Sequence, residues 1–198
     1  MHEKLEQVRP ADIEKRSFEI ITEELRQKGK VLPPGTEPIV KRCIHTSADF
    51  DYADNLIFSP GAVEKALEAL RQGAPVVTDT QMGKAGINKR KLAQYGSQAY
   101  CFMSDEDVAG VAAEMGVNGI FAIGNAPTAL VRLCELIEEE KLKPKLIIAV
   151  PVGFVNVVQA KEMILDLKDV PSIVAKGRKG GSNIAACICN ALLYMMEE

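Results

Sequence analysis

The chain has 198 residues, 47% apolar and 26% charged, with a formal net charge of -3 and a mean hydropathy near zero. These values describe an ordinary globular protein and exclude a disordered one, and the acidic balance excludes a general nucleic-acid binder, which needs a basic surplus to meet phosphates. No run approaches the roughly 18 uninterrupted apolar residues of a membrane span, and the opening MHEKLEQVRP has no apolar leader, so a cytoplasmic protein with neither nucleic acid nor membrane as partner is expected.

In chain order, Pro10-Ala-Asp-Ile opens an amphipathic helix with Ile13, Phe18, Ile21 and Leu25 near helical spacing, ending at Gly29 before the turn-rich LPPGTEP. EPIVKRCIHTSA reads as a second short helix. SPGAVEKALEALRQG reads as a third, with Ser59 as N-cap and Pro60 in its first turn. From residue 74 short apolar runs alternate with helix-length amphipathic ones. Strands are predicted over 74–79, 98–103, 119–124, 145–151 and 172–177. Helices are predicted over 88–95, 105–115 (capped by Ser104, with Asp107 three residues on), 126–141, 155–167 and 182–196. Strand and helix alternating without hairpin turns imply right-handed crossovers. The expected fold is therefore α/β, three layers deep, with a five-stranded, mainly parallel, Rossmann-like sheet and extra N-terminal helices. At this length one domain over 1–198 is expected, a helical part (1–73) packing on an α/β core (74–198).

The five cysteines, Cys43, Cys101, Cys134, Cys187 and Cys189, are odd in number, form no C-x-x-C pair and lie mostly in apolar runs. They read as reduced, buried thiols. A zinc site from Cys43, His45, Cys187 and Cys189 would be a forced assembly, so no metal centre is expected.

Open parallel sheets bind ligands beyond the carboxyl ends of their strands. The segments entering the predicted strands are plain turns, whereas those leaving them, TDTQMGKAGIN, MSDED, GNAPT, PVGFVN and KGRKGGSN, are dense in small polar residues and glycine. That asymmetry predicts one large site along one edge of the sheet. KGRKGGSN places Arg178, Lys179, two glycines and Ser182 ahead of a helix whose free N–H groups favour an anion, although a turn needing positive φ explains the glycines equally well. Neither a P-loop nor G-x-G-x-x-G after the first strand is present, which weakens a nucleotide reading. In GNAPT, Asn125 reads as a helix cap. Asp79 could orient a base, bind a hydroxyl or satisfy loop N–H groups. Arg16 and Ser17, inside the first helix, carry no signal by themselves. His45 is the only histidine in the body of the chain and lies among Arg42, Thr46, Ser47, Asp49 and Asp51. It can exchange a proton near neutral pH, yet a lone histidine is more often structural.

In order and spacing, RSFEII, IHTSADFDY, FSPGAVEKALEAL, GAPVVTDTQMGKAGI, AIGNAPTAL, PVGFVNVVQAKE and GGSNIAACICNALL together resemble the precorrin-8X methylmutase family, also called cobalt-precorrin-8 methylmutase. The resemblance implies an isomerase of cobalamin biosynthesis that moves a methyl group from carbon 11 to carbon 12 of a corrinoid precursor, giving hydrogenobyrinate or cobyrinate. It implies no cofactor, a tetrapyrrole substrate that itself can carry cobalt, and a homodimer with sites near the subunit interface. His45 falls on the family's catalytic histidine. Substrate contacts are implied at Arg16 and Ser17 of the RSF motif, at Asp79, Thr80, Met82, Gly86 and Asn88, at Gly124 and Asn125, at Pro151 and Gly153, and at Arg178, Gly180, Gly181 and Ser182. The family's insertion between the second and third strands, with its substrate-binding arginine, is shortened here to MSDEDVAGVAAEMGVNG, which leaves Lys84, Lys89 or Arg90 to supply an anion contact. Two other readings compete. A non-catalytic corrinoid carrier would not need His45, and a Rossmann-like methyltransferase would bind S-adenosylmethionine, against which the missing glycine fingerprint counts.

Overall fold

In the computed structural model the described residues are Glu6, 8–102, 108–116 and 118–197, with only the backbone of Val108 and Ala109. A single 3-10 turn (Pro10–Asp12) leads into α1 (Ile13–Gln27), after which Gly29 reverses the chain at φ 65°. Next comes α2 (Glu37–Ser47), which buries Ile39, Val40, Cys43 and Ile44. It ends where Ala48 turns left-handed and its N–H donates to the Ile44 carbonyl at 2.7 Å. Then follow α3 (Tyr52–Asn55), β1 (Leu56–Phe58) and α4 (Ala62–Arg71).

The α/β part contains β2 (Val76–Thr78), α5 (Gln81–Gly86), α6 (Lys89–Gln94), β3 (Ala99–Cys101), α7 (Val108–Glu114) and β4 (Ile120–Ile123). It closes with α8 (Pro127–Glu138), β5 (Leu146–Ala149), α9 (Val157–Asp166), β6 (Ser172–Ala175) and α10 (Ser182–Met195). The sheet runs β1-β6-β5-β4-β2-β3, with every pairing parallel except β1 with β6. Alternate strand residues feed two cores. Ile120, Ala122, Leu146, Ile148 and Ile173 pack with α2, α4 and α10, whereas Phe121, Ile123, Ile147, Ala149 and Val174 pack with α7, α8 and α9. Both faces being apolar is what helices on both sides of a parallel sheet require, and the three layers stand as expected.

The described sheet has six strands rather than five. The extra strand, β1, pairs antiparallel at the edge, Ile57 opposite Val174. A three-residue apolar run shows no periodicity, so only its neighbour reveals it as a strand. Ser59 is not the N-cap of α4. Gly61, at φ 69°, holds that position, and Ser59 instead extends the edge pairing: its Oγ accepts the Ser172 N–H at 2.8 Å while its own N–H donates to the Ser172 carbonyl at 2.9 Å. TDTQMGKAGIN is not all loop, since α5 forms within it, capped by Thr80. The expected cap by Ser104 and Asp107 lies outside the described residues. No helix among the described residues is long and apolar enough to cross a membrane.

Candidate active site

The strand order reverses between β2 and β4: the chain steps outward to β3, then returns to build β4, β5 and β6 on the other side. Ligands of open parallel sheets gather at such a reversal. Here Asp79, directly after β2, fills it. Its Oδ1 accepts the Gly124 N–H at 2.9 Å, and its Oδ2 accepts those of Asn125 and Ala126 at 2.7 and 2.6 Å. The residue is buried, so the amides at the start of α8 already hold an anion supplied by the chain itself. A nucleotide phosphate would have to displace it. Asn125 is therefore not the cap of α8. Ala126 occupies the cap position, and the Asn125 N–H is itself one of the three that the carboxylate holds in the loop ahead of α8.

The other exit loops converge on α10. Thr80 Oγ1 accepts the Gly83 N–H at 3.0 Å and donates to Ser182 Oγ at 2.7 Å. Asn190 donates to the Gly86 carbonyl and accepts the Asn88 N–H, both at 2.8 Å, while Asn88 caps α6 through the Lys91 N–H. A Cβ on Gly86 would stand 2.8 Å from Ala186 Cβ, and one on Gly124 would stand 2.6 Å from Ser182 Cα, so both glycines permit close approach to α10. The loops after β5 and β6 interlock: Gly181 N–H donates to the Val150 carbonyl at 2.8 Å and Gly153 N–H to the Arg178 carbonyl at 3.2 Å. Pro151 is buried between them in sequence, whereas Met82 is 68% exposed.

On its other flank α10 meets α2. Thr46 Oγ1 donates to Cys187 Sγ at 3.3 Å, and Cys187 Sγ lies 4.0 Å from Cys43 Sγ. The neighbouring Cys187 thiol and burial together push the Cys43 thiol well up, which keeps it inert. His45, in the last turn of α2, is exposed and stacks on Phe18 with ring centroids 5.3 Å apart and an interplanar angle of 27°. Neither ring nitrogen makes a hydrogen bond with a described residue. The turn after α2 is tied to the loop after β6, because Lys179 Nζ reaches Asp49 at 2.6 Å and Asp51 at 2.5 Å. That pairing holds the Asp49 carboxyl below its ordinary range and Lys179 above its own.

Arg16 and Ser17 are the predicted contacts that this assembly does not gather. The guanidinium is engaged by Glu6 and Glu19, and Ser17 Oγ donates to the Ile13 carbonyl of its own helix at 2.9 Å. Their neighbour Phe18 is the residue of that motif that touches His45. Phe18 was legible only as part of an apolar helix face, Thr46 and Asn190 carried no signal beyond being polar, and Lys179, read as part of an anion-favouring loop, is instead paired with Asp49 and Asp51.

Apolar and basic side chains both stand on and beside these loops. Val152, Phe154 and Val155 are 50%, 79% and 77% exposed, and the Arg178 guanidinium lies 5.1 Å from the Phe154 ring centre. Lys84, Lys89 and Arg90 pair with no carboxylate among the described residues. No group of three or more His, Cys, Asp or Glu side chains among the described residues is placed to hold a metal ion. The shortened segment between β3 and β4 falls partly on residues 103–107 and 117, outside the described residues.

The family profile described as precorrin-8X methylmutase matches residues 12–195. The cobalt-precorrin-8 methylmutase of Priestia megaterium is 41% identical over 209 residues, spanning 96% of this chain and 90% of that protein. That of Salmonella typhimurium is 41% identical over 208 residues, spanning 96% and 97%. A crystal structure of precorrin-8X methylmutase from Thermus thermophilus superposes with a TM-score of 0.85 at 34% identity, over 94% of this chain and 98% of that one.

Proposed function

The chain belongs to the precorrin-8X methylmutase family and is an isomerase of cobalamin biosynthesis; from that premise we propose how its site acts. The substrate is precorrin-8X or its cobalt complex, and one methyl group migrates from carbon 11 to carbon 12 of the same ring. The cobalt form is favoured by the names of the relatives at 41% identity. No methyl donor and no redox cofactor takes part, since the bond broken and the bond formed belong to one molecule and its electrons only redistribute. The whole chain works as one domain, and two copies form the working dimer.

One observation carries this reading: an exposed imidazole, stacked on Phe18 and free of hydrogen bonds to described residues, stands at the end of a helix tied to the loops of the sheet edge. Stacking limits how the ring can turn, and the free nitrogens leave it able to give a proton to a ring nitrogen of the substrate. Protonation draws electron density out of the conjugated system and away from the migrating centre. As the methyl settles on carbon 12 the proton returns. Such acid catalysis supplies roughly 10²–10⁴ in rate. The rest comes from holding the macrocycle in a reactive shape.

The surroundings suit a flat ring rimmed with acetate and propionate groups. Met82, Val152, Phe154 and Val155 offer apolar area to the ring. Arg178, the N–H groups of Gly180 and Ser182 at the helix start, and Lys84, Lys89 and Arg90 meet the carboxylates, while the Gly181 N–H holds the loop to Val150. Thr80, Gly86, Asn88, Gly124 and Gly153 shape the edge, and Asp79 acts through the backbone it holds. Arg16 and Ser17 contribute the guanidinium N–H groups and the hydroxyl lone pairs that their present partners leave over.

The test is anaerobic incubation of the purified protein with precorrin-8X and with its cobalt complex, each carrying a ¹³C label in the carbon-11 methyl and with no S-adenosylmethionine present. The label is expected to reappear on carbon 12, faster for the cobalt form. Binding without movement of the label would establish a carrier, and movement only after S-adenosylmethionine is added would establish a methyltransferase.

A further inference from the structure

Lys161 lies on the core face of α9, between Val157, Ala160 and Ile164, and is 1% exposed. Among the described residues no other lysine or arginine is buried. Its Nζ donates to the carbonyls of Gly177 and Lys179, each at 2.8 Å, and pairs with no carboxylate. Burial lowers its ammonium to about 8. Of the elements packed on α9, β5 and β6 carry no ionisable residue, and α8 carries Arg132, Cys134, Glu135 and Glu138, with Arg132 paired to Glu135 and the Cys134 thiol kept neutral by burial. On α9 itself stand Glu162 and Asp166, and in the loop Lys176, Arg178 and Lys179, the last neutralised by Asp49 and Asp51. None forms an ion pair with Lys161.

A buried ammonium without a counter-ion is a poor packing residue, because a methionine would fill the same space without the desolvation. Its geometry indicates another use. Every peptide among the described residues is trans, so the N–H of each peptide unit points away from its own C=O. With the carbonyls of Gly177 and Lys179 turned inward onto Lys161, the N–H groups of Arg178 and Gly180 face the opposite way. Neither finds an acceptor among the described residues. Gly180 is indispensable to this turn: its φ is 153° and a Cβ would stand 2.0 Å from the Val150 carbonyl oxygen.

We propose that Lys161 is a positioning residue for the methylmutase reaction, shaping and charging a carboxylate seat whose donors are the outward N–H groups of Arg178 and Gly180. The ammonium stands behind the peptide planes and never touches the ligand. It fixes the two carbonyls and lends the seat a positive potential that water does not screen. The ligand's identity, a corrinoid acetate or propionate, rests on the function proposed above.

Two readouts test this. In Lys161→Met, KM for cobalt-precorrin-8 is expected to rise roughly 10–100-fold with kcat within about threefold, the size of losing one charge-assisted contact. Amide exchange at Gly153 and Gly181, whose hydrogen bonds hold the loop, should accelerate about tenfold or more. In the wild type, KM should climb as pH passes about 8, a climb that Lys161→Met should lack, because the neutral amine keeps its donors and loses only its charge. A variant with wild-type KM and unchanged exchange overturns the proposal. Should the variant fail to fold, a wild-type KM that is flat from pH 7 to 9.5 overturns it instead. If the wild type turns over no corrinoid, the proposed function fails, and the exchange comparison still decides whether Lys161 holds the loop.

Discussion

Asp79 and Lys161 are buried charges with opposite tasks, and each is satisfied by backbone rather than by an opposite charge. The Asp79→Asn variant keeps the shape but offers one acceptor oxygen where three N–H groups need two, and it turns an NH₂ group toward a donor. It should lose about 2–3 kcal/mol in urea unfolding, with corrinoid binding falling as the β4–α8 loop loosens. Unchanged stability would mean that the carboxylate does not hold the β4–α8 loop. A polar residue at a strand end was legible in the sequence as satisfying loop N–H groups, but its partners, 45 to 47 residues downstream, were not, because only the parallel pairing of β2 with β4 brings them together. His45 was picked out by rarity and by family resemblance. Its stacking partner Phe18 was hidden by belonging to an ordinary amphipathic face.

At the level of elements, the loop between β6 and α10 is the joint on which the site turns. It is held by Lys161 from behind, by Val150 through Gly181, and by Asp49 and Asp51 through Lys179. Gly180→Ala drives a methyl into the Val150 carbonyl at a φ that L-residues rarely adopt. It should cost about 1–3 kcal/mol in stability and weaken corrinoid binding roughly tenfold or more, whereas Gly177→Ala, with nothing within 4 Å of its Cβ, meets only backbone strain at its φ of 81°. Equal effects of the two on binding would contradict the account. The glycine density of KGRKGGSN announced a special loop, and a flexible turn explained it equally well. What separates the readings is contact with Val150 and Lys161, which lie on other elements. For the same reason β1 and the true role of Ser59 escaped sequence reasoning, since both exist only through pairing with β6.

Taken as a whole, the molecule should show opposing pH effects on stability. Lys161 titrates near 8 when folded, below its ordinary 10.5, so between those values the unfolded chain binds more protons and stability rises with pH. The lowering corresponds to at most about 3 kcal/mol. Burial pushes Cys134 from 9.0 to about 11 and Cys189 to about 12. These thiols stay neutral in the fold, so their contribution is complete below the ordinary thiol range and is lost as pH climbs through 9 toward 12. The exposed Lys179, raised above its ordinary value, keeps its contribution throughout the 8 to 10.5 window. Wild-type stability is therefore expected to rise between about pH 8 and 9 and then fall, while Lys161→Met should stay level up to about pH 9 and fall from there without that rise. Parallel curves would contradict the buried ammonium. The three-layer architecture itself was legible, because alternating strand and helix patterns with two-faced apolar strands admit few other arrangements. The reversal of strand order, which places Asp79 at the crevice, was not, since it depends on long-range pairing that local patterns do not encode.

The central claim is that His45 acts on the substrate rather than on the fold, and comparing His45→Ala with the wild type on cobalt-precorrin-8 tests it most directly. Binding would be followed by the visible spectrum and methyl position by NMR. The kcat of His45→Ala is expected to be lower by roughly 10²–10⁴, with corrinoid affinity within about threefold and an unchanged unfolding midpoint. A variant that moves the methyl at the wild-type rate would contradict it.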